Sequence, residues 1–535
     1  MKKTNLNDNN LILCEKSVLT FLFLSLFFIS QAQQGIQAIS EKDLKTHLEF
    51  IASDSLEGRS FGTKVPGLDI AADYLVSYLK KTGIKPGGEN YFQPVAVVST
   101  SPEPSGNRMV IKDAEGKPVF VTDSVCGNFT GVKSVRLEGE VVFAGFGLVD
   151  KNLGYNDFDS LDIRNKIVLF STGTPDSYLK EMNGKTVWYD SRLEQAKVNH
   201  IMEMGAKVAV LIPDPNVCEN TYLRIKSGMS GCCYTLKDGS GEDHYANFIL
   251  AAPSVCDAIT GKAGSLKKAL LEIAENKKAT GFKNMNAEIT LTYEVKEFKG
   301  KNVVGFVEGS DSVLKNEYVV FMAHYDHLGV RGDGEVYNGA DDNGSGTVTL
   351  MELAKAFGSL KVKPERSIVF LWVTGEEPGM LGSSWYVAHP VLPLENTIAC
   401  INLDMVGRVF TKKDLVWKNS PKMVKNFKGL YALSGNGCPE LVAISDSACK
   451  KVGLVPDKSL PSNFLRSSDH YQFYRKGIPI MNYSTGYHAD YHKVSDEVSK
   501  INFKKMKKVA EVCYLVGYDV ANREKRLQSI EIARQ

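Results

Sequence analysis

The stretch Tyr318-Val-Val-Phe-Met-Ala-His-Tyr-Asp326 decides the fold. Its first six residues are a run of apolar, mostly β-branched and aromatic side chains, too short for a helix. Such a run, cut off sharply by polar residues, reads as a strand buried on both faces. Three more runs of this kind, at 303–307, 367–373 and 399–403, alternate with helical patterns at 346–356 and 382–388. Buried strands separated by helices imply an α/β sandwich on a mixed, largely parallel central sheet. In open sheets of that type ligands gather beyond the carboxyl ends of the strands, and His324 stands at such an end.

The other strand ends also carry chemistry. Asp326 lies two residues beyond His324, close enough to accept the second ring N–H and fix the tautomer. Gly339-Ala-Asp341-Asp342-Asn-Gly-Ser-Gly346 is a glycine-rich turn entering a helix. Its paired carboxylates suit either capping of that helix or a single carboxylate bridging two cations. Glu376-Glu377-Pro378-Gly379 follows the strand at 367–373. Adjacent carboxylates repel unless cations or a proton offset them, which favours a division of labour: one holds metal and its neighbour moves protons. Asp404 ends the strand at 399–403, and His488 and His492 share the segment Gly486-Tyr-His488-Ala-Asp-Tyr491-His492-Lys-Val-Ser-Asp496. Spacing does not separate those two histidines, or Asp341 from Asp342. Together the set offers oxygen and nitrogen donors suited to zinc, with no cysteine required.

The remainder of the chain bounds these readings. At 535 residues it is long enough for two or three domains. Lysine plus arginine number 64 against 62 aspartate plus glutamate, so the charge balance favours neither nucleic acid nor an anionic lipid surface as partner. Residues 1–32 combine Lys2, Lys3 and Lys16 with an apolar run at 18–29 and a small-x-small site at Ser30-Gln31-Ala32, the pattern of a secretory signal. With that signal removed, no stable membrane insertion is expected, and the mature protein belongs in the periplasm or outside the cell. Ten cysteines include Cys14 in the leader, leaving an odd number behind. Cys232-Cys233 and the pair Cys438 and Cys449 are candidates for bridges in an oxidising compartment. The sequence carries no signature of an oligomeric state.

Helical spacing predicts helices at 41–52 and 67–82, joined by Asp54-Ser-Leu-Glu-Gly-Arg59 and Gly62-Thr63, a polar connection able to approach a cleft. From about Val135 short β runs appear at 139–143, 166–170 and 206–212, with helices at 191–205 and 267–275. They predict a small β-rich insertion domain without a convergent histidine and carboxylate set.

The five contexts around His324, Asp342, Glu377, Asp404 and His492, in this order, resemble the zinc aminopeptidases of peptidase family M28 over the region from about Lys301 onward. The resemblance implies the three-layer, phosphorylase/hydrolase-like sandwich of zinc peptidases and hydrolysis of peptide substrates at their N-terminus. It further implies two zinc ions per chain with a shared water between them. By its pattern Asp342, which precedes Asn343-Gly344-Ser345-Gly346, is the bridging carboxylate. His324 and Asp404 take one zinc, Glu377 and His492 the other. Glu376 is the general base and acid, Asp326 orients His324, and Tyr491 offers a hydrogen bond to the oxyanion. Carboxypeptidase or dipeptidase activity is the alternative within the family, and a peptide-binding protein that keeps only the fold is the alternative outside it. Ala144-Gly-Phe-Gly147, 155–162, 166–170 and 196–212 resemble a protease-associated insertion domain. The implied organisation is a leader at 1–32, peptidase residues at 33–134, the insertion at 135–285 and the main peptidase part at 286–535. Asp54–Arg59 resembles the leading segment of bacterial members, and Ser468-Asp469-His470 resembles a further segment near the cleft.

Overall fold

In a computed structural model of the protein the described residues are 33–528, apart from 152–153, 184–189, 214–224, 227–228, 230, 241–246, 261–263, 277–284, 413, 415–422 and 436–437. The proposed leader at 1–32 lies outside them. The chain forms two compact units, one from residues before Val97 and after Glu297, the other Val97–Glu297.

The first unit contains helices α1 (Glu41–Ile51) and α2 (Gly67–Lys81), the part of β1 (Met285–Val307) from Phe298 onward, then β2 (Tyr318–His324), α3 (Gly346–Gly358), β3 (Ser367–Val373), α4 (Leu381–Ala388) and β4 (Thr397–Leu403). It continues with β5 (Gly429–Leu433), α5 (Pro439–Val452), β6 (Val455–Asp457), α6 (His470–Tyr474), β7 (Ile480–Ser484) and α7 (Phe503–Ala521). Strands β3, β2, β4 and β7 lie side by side and parallel. Antiparallel neighbours flank them, the end of β1 beside β3 and β5 beside β7, with β6 parallel to β5. The sheet is therefore mixed with a parallel centre, as the sequence predicts.

Side-chain alternation sorts the layers. Val319, Phe321 and Ala323 of β2 share one core with α1, α2, α3, α5 and α7. Val320 and Met322 face the opposite way, onto Tyr386 and Val387 of α4 and Phe473 of α6. The result is a three-layer sandwich whose strands are buried on both faces, which is why they lack a polar side. Each fully buried aromatic such as Phe321 or Trp372 contributes about 1.5–3 kcal/mol of transfer free energy. Helix α1 starts where the Ser40 hydroxyl accepts the Asp43 N–H, with acids Glu41 and Asp43 in its first turn.

The second unit has its own sheet. Ser134–Phe143, Ile167–Phe170, Val208–Leu211 and Phe248–Ala251 run parallel in that order, and Val125–Gly127 closes one edge antiparallel. Helices Ser191–Glu203 and Ser265–Asn276 stand where periodicity predicts them. The boundaries differ from the expected 135 and 285. Arg108–Lys112 pairs in register with Asn286–Thr290, and residues 285–292 of β1 pair with 134–141. The segments 97–134 and 286–297 thus supply strands to the inserted sheet rather than to the peptidase part.

Among the described residues Cys126, Cys232, Cys256, Cys400, Cys438, Cys449 and Cys513 are free thiols. Cys438 caps α5 and Cys449 lies near its far end. Eleven helical residues separate their Cα atoms by about 16 Å, well beyond the reach of a disulfide.

Candidate metal centre

Every predicted donor sits at the carboxyl end of the parallel strands or in a loop beside it. His324 is the last residue of β2 and is aligned with Val373 at the end of β3. Glu376 and Glu377 follow β3, and Asp404 follows β4. Asp342 precedes α3, which starts so close to β4 that a Cβ on Gly346 would fall 2.4 Å from the Leu403 carbonyl oxygen. The loop after β7 brings His492.

These side chains converge on Asp342. Its Oδ1 is 3.5 Å from His324 Nε2, which is also 3.5 Å from Asp404 Oδ1. Its Oδ2 is 3.1 Å from His492 Nε2, which is 3.2 Å from Glu377 Oε2. Two donor groups result, His324 with Asp342 and Asp404, and Asp342 with Glu377 and two histidines. Glu376 stands beside them, its Oε2 4.0 Å from His324 Nε2.

The adjacent look-alikes separate cleanly. Asp341 accepts the Gly407 N–H at 2.7 Å, and its other oxygen lies 3.3 Å from His488 Nε2. Arg408 lies 3.1 Å from the remaining nitrogen of His488. Asp341 and His488 therefore face each other, and neither belongs to the two donor groups centred on Asp342. Asp496 accepts the backbone N–H groups of both Asp341 and Asp342, at 2.9 and 3.0 Å, and so sets the direction of the turn.

Asp326 does more than the sequence predicts. The His324 ring Nδ1 is 3.3 Å from the Asp326 backbone oxygen and 3.6 Å from its carboxylate. The two carboxylate oxygens also accept the N–H groups of Glu376 and Glu377, at 3.1 and 3.2 Å. One side chain thereby positions residues from two strand ends. Tyr491 stacks on His492 with ring centroids 3.8 Å apart.

His327 was missed by the sequence reading. Its Nδ1 lies 2.6 Å from Glu377 Oε1 and 4.0 Å from Asp342 Oδ2, in a fully buried position. The available signal was a second histidine three residues after the first, in a loop free to turn back. Asp469 is also buried; the Ser383 hydroxyl donates to it at 2.5 Å, and burial followed by the counteracting His324 charge leaves its carboxyl up at about 7.

Electrostatics show what the cluster needs. Burial raises the Glu376 carboxyl well above the carboxylate range, and the charges of Asp469, Glu377 and Asp404 add to it. Burial alone would lower the His492 imidazole, but Asp342 and Glu377 raise it to about 10. Burial likewise opposes ionisation of Asp342, yet His324 and His492 beside it hold it well below the ordinary range. Buried carboxylates in this excess draw protons onto histidine, and divalent cations offset such an excess directly. His324 Nε2, Asp342 Oδ2 and Asp404 Oδ1 are buried without a hydrogen-bond partner. Orphaned donor atoms of metal-binding type, aimed at one another, fit zinc.

Residues 302–516 match the model of peptidase family M28. Aminopeptidase YwaD of Bacillus subtilis is 27% identical over 250 residues, covering 45% of this chain and 50% of that protein. Leucine aminopeptidase 2 of Arthroderma otae is 25% identical over 303 residues, covering 51% and 56%. Leupeptin-inactivating enzyme 1 of Streptomyces exfoliatus is 28% identical over 163 residues, covering 30% and 32%. The chain thus spans about half, or less, of the length of these curated relatives. Among solved structures, an aminopeptidase from Aneurinibacillus sp. strain AM-1 aligns over 94% of this chain and 98% of its own, with a TM-score of 0.53 and 19% identity. That is a likeness of fold.

Proposed function

The chain belongs to peptidase family M28 through residues 302–516, and from that premise we propose that it is an aminopeptidase that takes two zinc ions and removes N-terminal residues from peptides. The observation that carries the reading is Asp342, with one oxygen 3.5 Å from His324 Nε2 and the other 3.1 Å from His492 Nε2. A carboxylate so placed suits sharing between two cations. His324 and Asp404 would hold one ion and Glu377 and His492 the other, with Asp342 common to both.

When bound, the ions would polarise the scissile carbonyl and make water acidic enough to ionise near neutral pH. Glu376 receives the water proton as the carbonyl carbon is attacked, then delivers it to the departing amine. Burial raises the Tyr491 phenol, and the Asp342 charge adds to it. Tyr491 therefore stays protonated and donates to the carbonyl oxygen as negative charge develops there. Asp326 keeps Glu376 and Glu377 in register with His324. His327, bonded to Glu377 Oε1 at 2.6 Å, orients that carboxylate.

The same reading makes Val97–Glu297 a protease-associated module and residues 1–32 an export signal, with the mature protein periplasmic or extracellular. Among the described residues no helix is long and apolar enough to cross a membrane.

The test compares zinc-loaded and chelated protein on a free peptide and its N-acetylated counterpart, with products followed by mass spectrometry. Stepwise release from the free N-terminus only, lost on chelation, is expected. Cleavage of the blocked peptide would refute aminopeptidase action. Two bound zinc ions with no hydrolysis would favour a binding protein instead.

A further inference from the structure

The segment Asp54-Ser-Leu-Glu-Gly-Arg59 has no part in the chemistry above, yet it ends in the most heavily bonded buried cation near the site. Arg59 is fully buried. Its Nε donates to the Tyr325 carbonyl at 2.8 Å, and its Nη1 to Ile51 and Asn338 at 2.6 and 2.7 Å. Its Nη2 donates to Gly339 at 3.1 Å. Tyr325 lies between His324 and Asp326, and Asn338 and Gly339 lead into Asp341 and Asp342. One planar guanidinium therefore joins the end of α1 to the segments that carry His324 and Asp342, two of the three members of the first donor group.

The backbone repeats the link. The Arg59 carbonyl accepts the His327 N–H and the Gly58 carbonyl accepts the Gly329 N–H, both at 3.2 Å. Glu57, Gly58 and Arg59 all adopt left-handed backbone, with φ of 43°, 66° and 50°. A Cβ on Gly58 would meet the Gly329 oxygen at 2.4 Å, so glycine is required for the approach. Three successive positive-φ residues, two of them not glycine, store strain that only strong surrounding bonds retain. Asp54 adds a further tie, accepting from Asn338 Nδ2 at 2.7 Å.

We propose that Arg59 is a positioning residue for the metal centre: it sets the spacing between the loop after His324 and the loop carrying Asp342, so that their donors meet a cation without rearrangement. The inference rests on the zinc reading above. Four carbonyls spread around one side chain need the fork of a guanidinium. Lysine, a single nitrogen on a flexible stem, keeps the charge but cannot span them. Burial pushes the Arg59 guanidinium down to about 10, opposed by Asp326, Asp342, Asp496 and Glu377. It therefore stays charged at neutral pH and moderates the repulsion among those carboxylates.

The experiment measures zinc affinity by competition with a chelator, and thermal midpoints with and without zinc, on the full chain. The variants are Arg59→Lys, Asp54→Ala and Arg366→Lys. Arg366 is the control, a buried arginine bonded to Glu317 at 2.6 Å and to the Arg523 carbonyl, away from the site. Arg59→Lys is expected to weaken zinc binding 10- to 100-fold, the range found when groups supporting metal ligands are removed. Its zinc-induced rise in midpoint shrinks accordingly. Arg366→Lys lowers the midpoint and leaves zinc affinity unchanged. The exposed Asp54→Ala weakens zinc by a smaller factor and carries the test if Arg59→Lys does not fold. Wild-type zinc affinity in Arg59→Lys, or in Asp54→Ala when it stands in, overturns the proposal, as does an equal loss in Arg366→Lys. If the unaltered protein takes up no zinc, the proposed function fails instead.

Discussion

Replacing Glu376 with glutamine changes one oxygen for an amide nitrogen and nothing else in volume. The backbone N–H of residue 376 still bonds to Asp326 at 3.1 Å, so the turn that also carries Glu377 keeps its place. Glu376 is absent from both donor groups centred on Asp342, so metal uptake is retained. The stability effect has a definite sign in the metal-free protein. Burial and the neighbouring acids raise the Glu376 carboxyl well above 4.5. The folded state thus holds its proton to higher pH than the unfolded chain, and stability falls as pH rises from the unfolded value through the folded one. Glutamine removes that loss, so Glu376→Gln is expected to be at least as stable as the parent near pH 8. Turnover behaves oppositely. A positioned acid/base supplies about 10²–10⁴ in rate, or roughly 3–5 kcal/mol of barrier. The assay pairs kcat on a free dipeptide with zinc content and a thermal midpoint in chelator. A kcat within about threefold of the parent, or a loss of turnover that tracks a loss of zinc, would refute the assignment of Glu376 as proton carrier.

Two further outcomes follow from contacts away from that atom. Asp326→Asn leaves one acceptor where two N–H groups bond now; zinc affinity measured by chelator competition should fall about 10- to 100-fold, and an unchanged affinity would mean the turn is held by other contacts. Burial pushes the Lys505 amine down to about 8, where it donates to the Phe427 carbonyl at 2.9 Å. Between that pH and the ordinary value the unfolded chain holds a proton that the folded one lacks, so stability rises with pH, by about 3 kcal/mol in total. Urea unfolding of the parent and Lys505→Met between pH 7.5 and 10.5 should show this slope in the parent alone.

Much of this was legible from local pattern. Runs such as Tyr318–His324 are apolar on both faces because helices cover both, and that alone indicates a parallel-centred sandwich. Donors at the ends of those runs could be found because the sheet aligns their ends. What stayed hidden depends on contacts distant in sequence. Asp341 differs from Asp342 only through Gly407 and His488, and His327 acts only because Glu377 arrives from the next strand. The insertion's edges escaped for the same reason, since Arg108–Lys112 finds its partner in Asn286–Thr290. Nothing in the local pattern around Arg59 marked it for burial, because its partners are backbone carbonyls that carry no residue signature.

Asp342 is proposed to serve two cations at once. Zinc per chain, determined by plasma emission spectrometry after equilibrium dialysis, tests it directly when the parent is compared with Asp342→Ala, Asp404→Ala and His492→Ala. Two zinc ions are expected in the parent, about one in Asp404→Ala and in His492→Ala, and fewer than one in Asp342→Ala. A single ion in the parent, or an Asp342→Ala variant that keeps one full site intact, would contradict it.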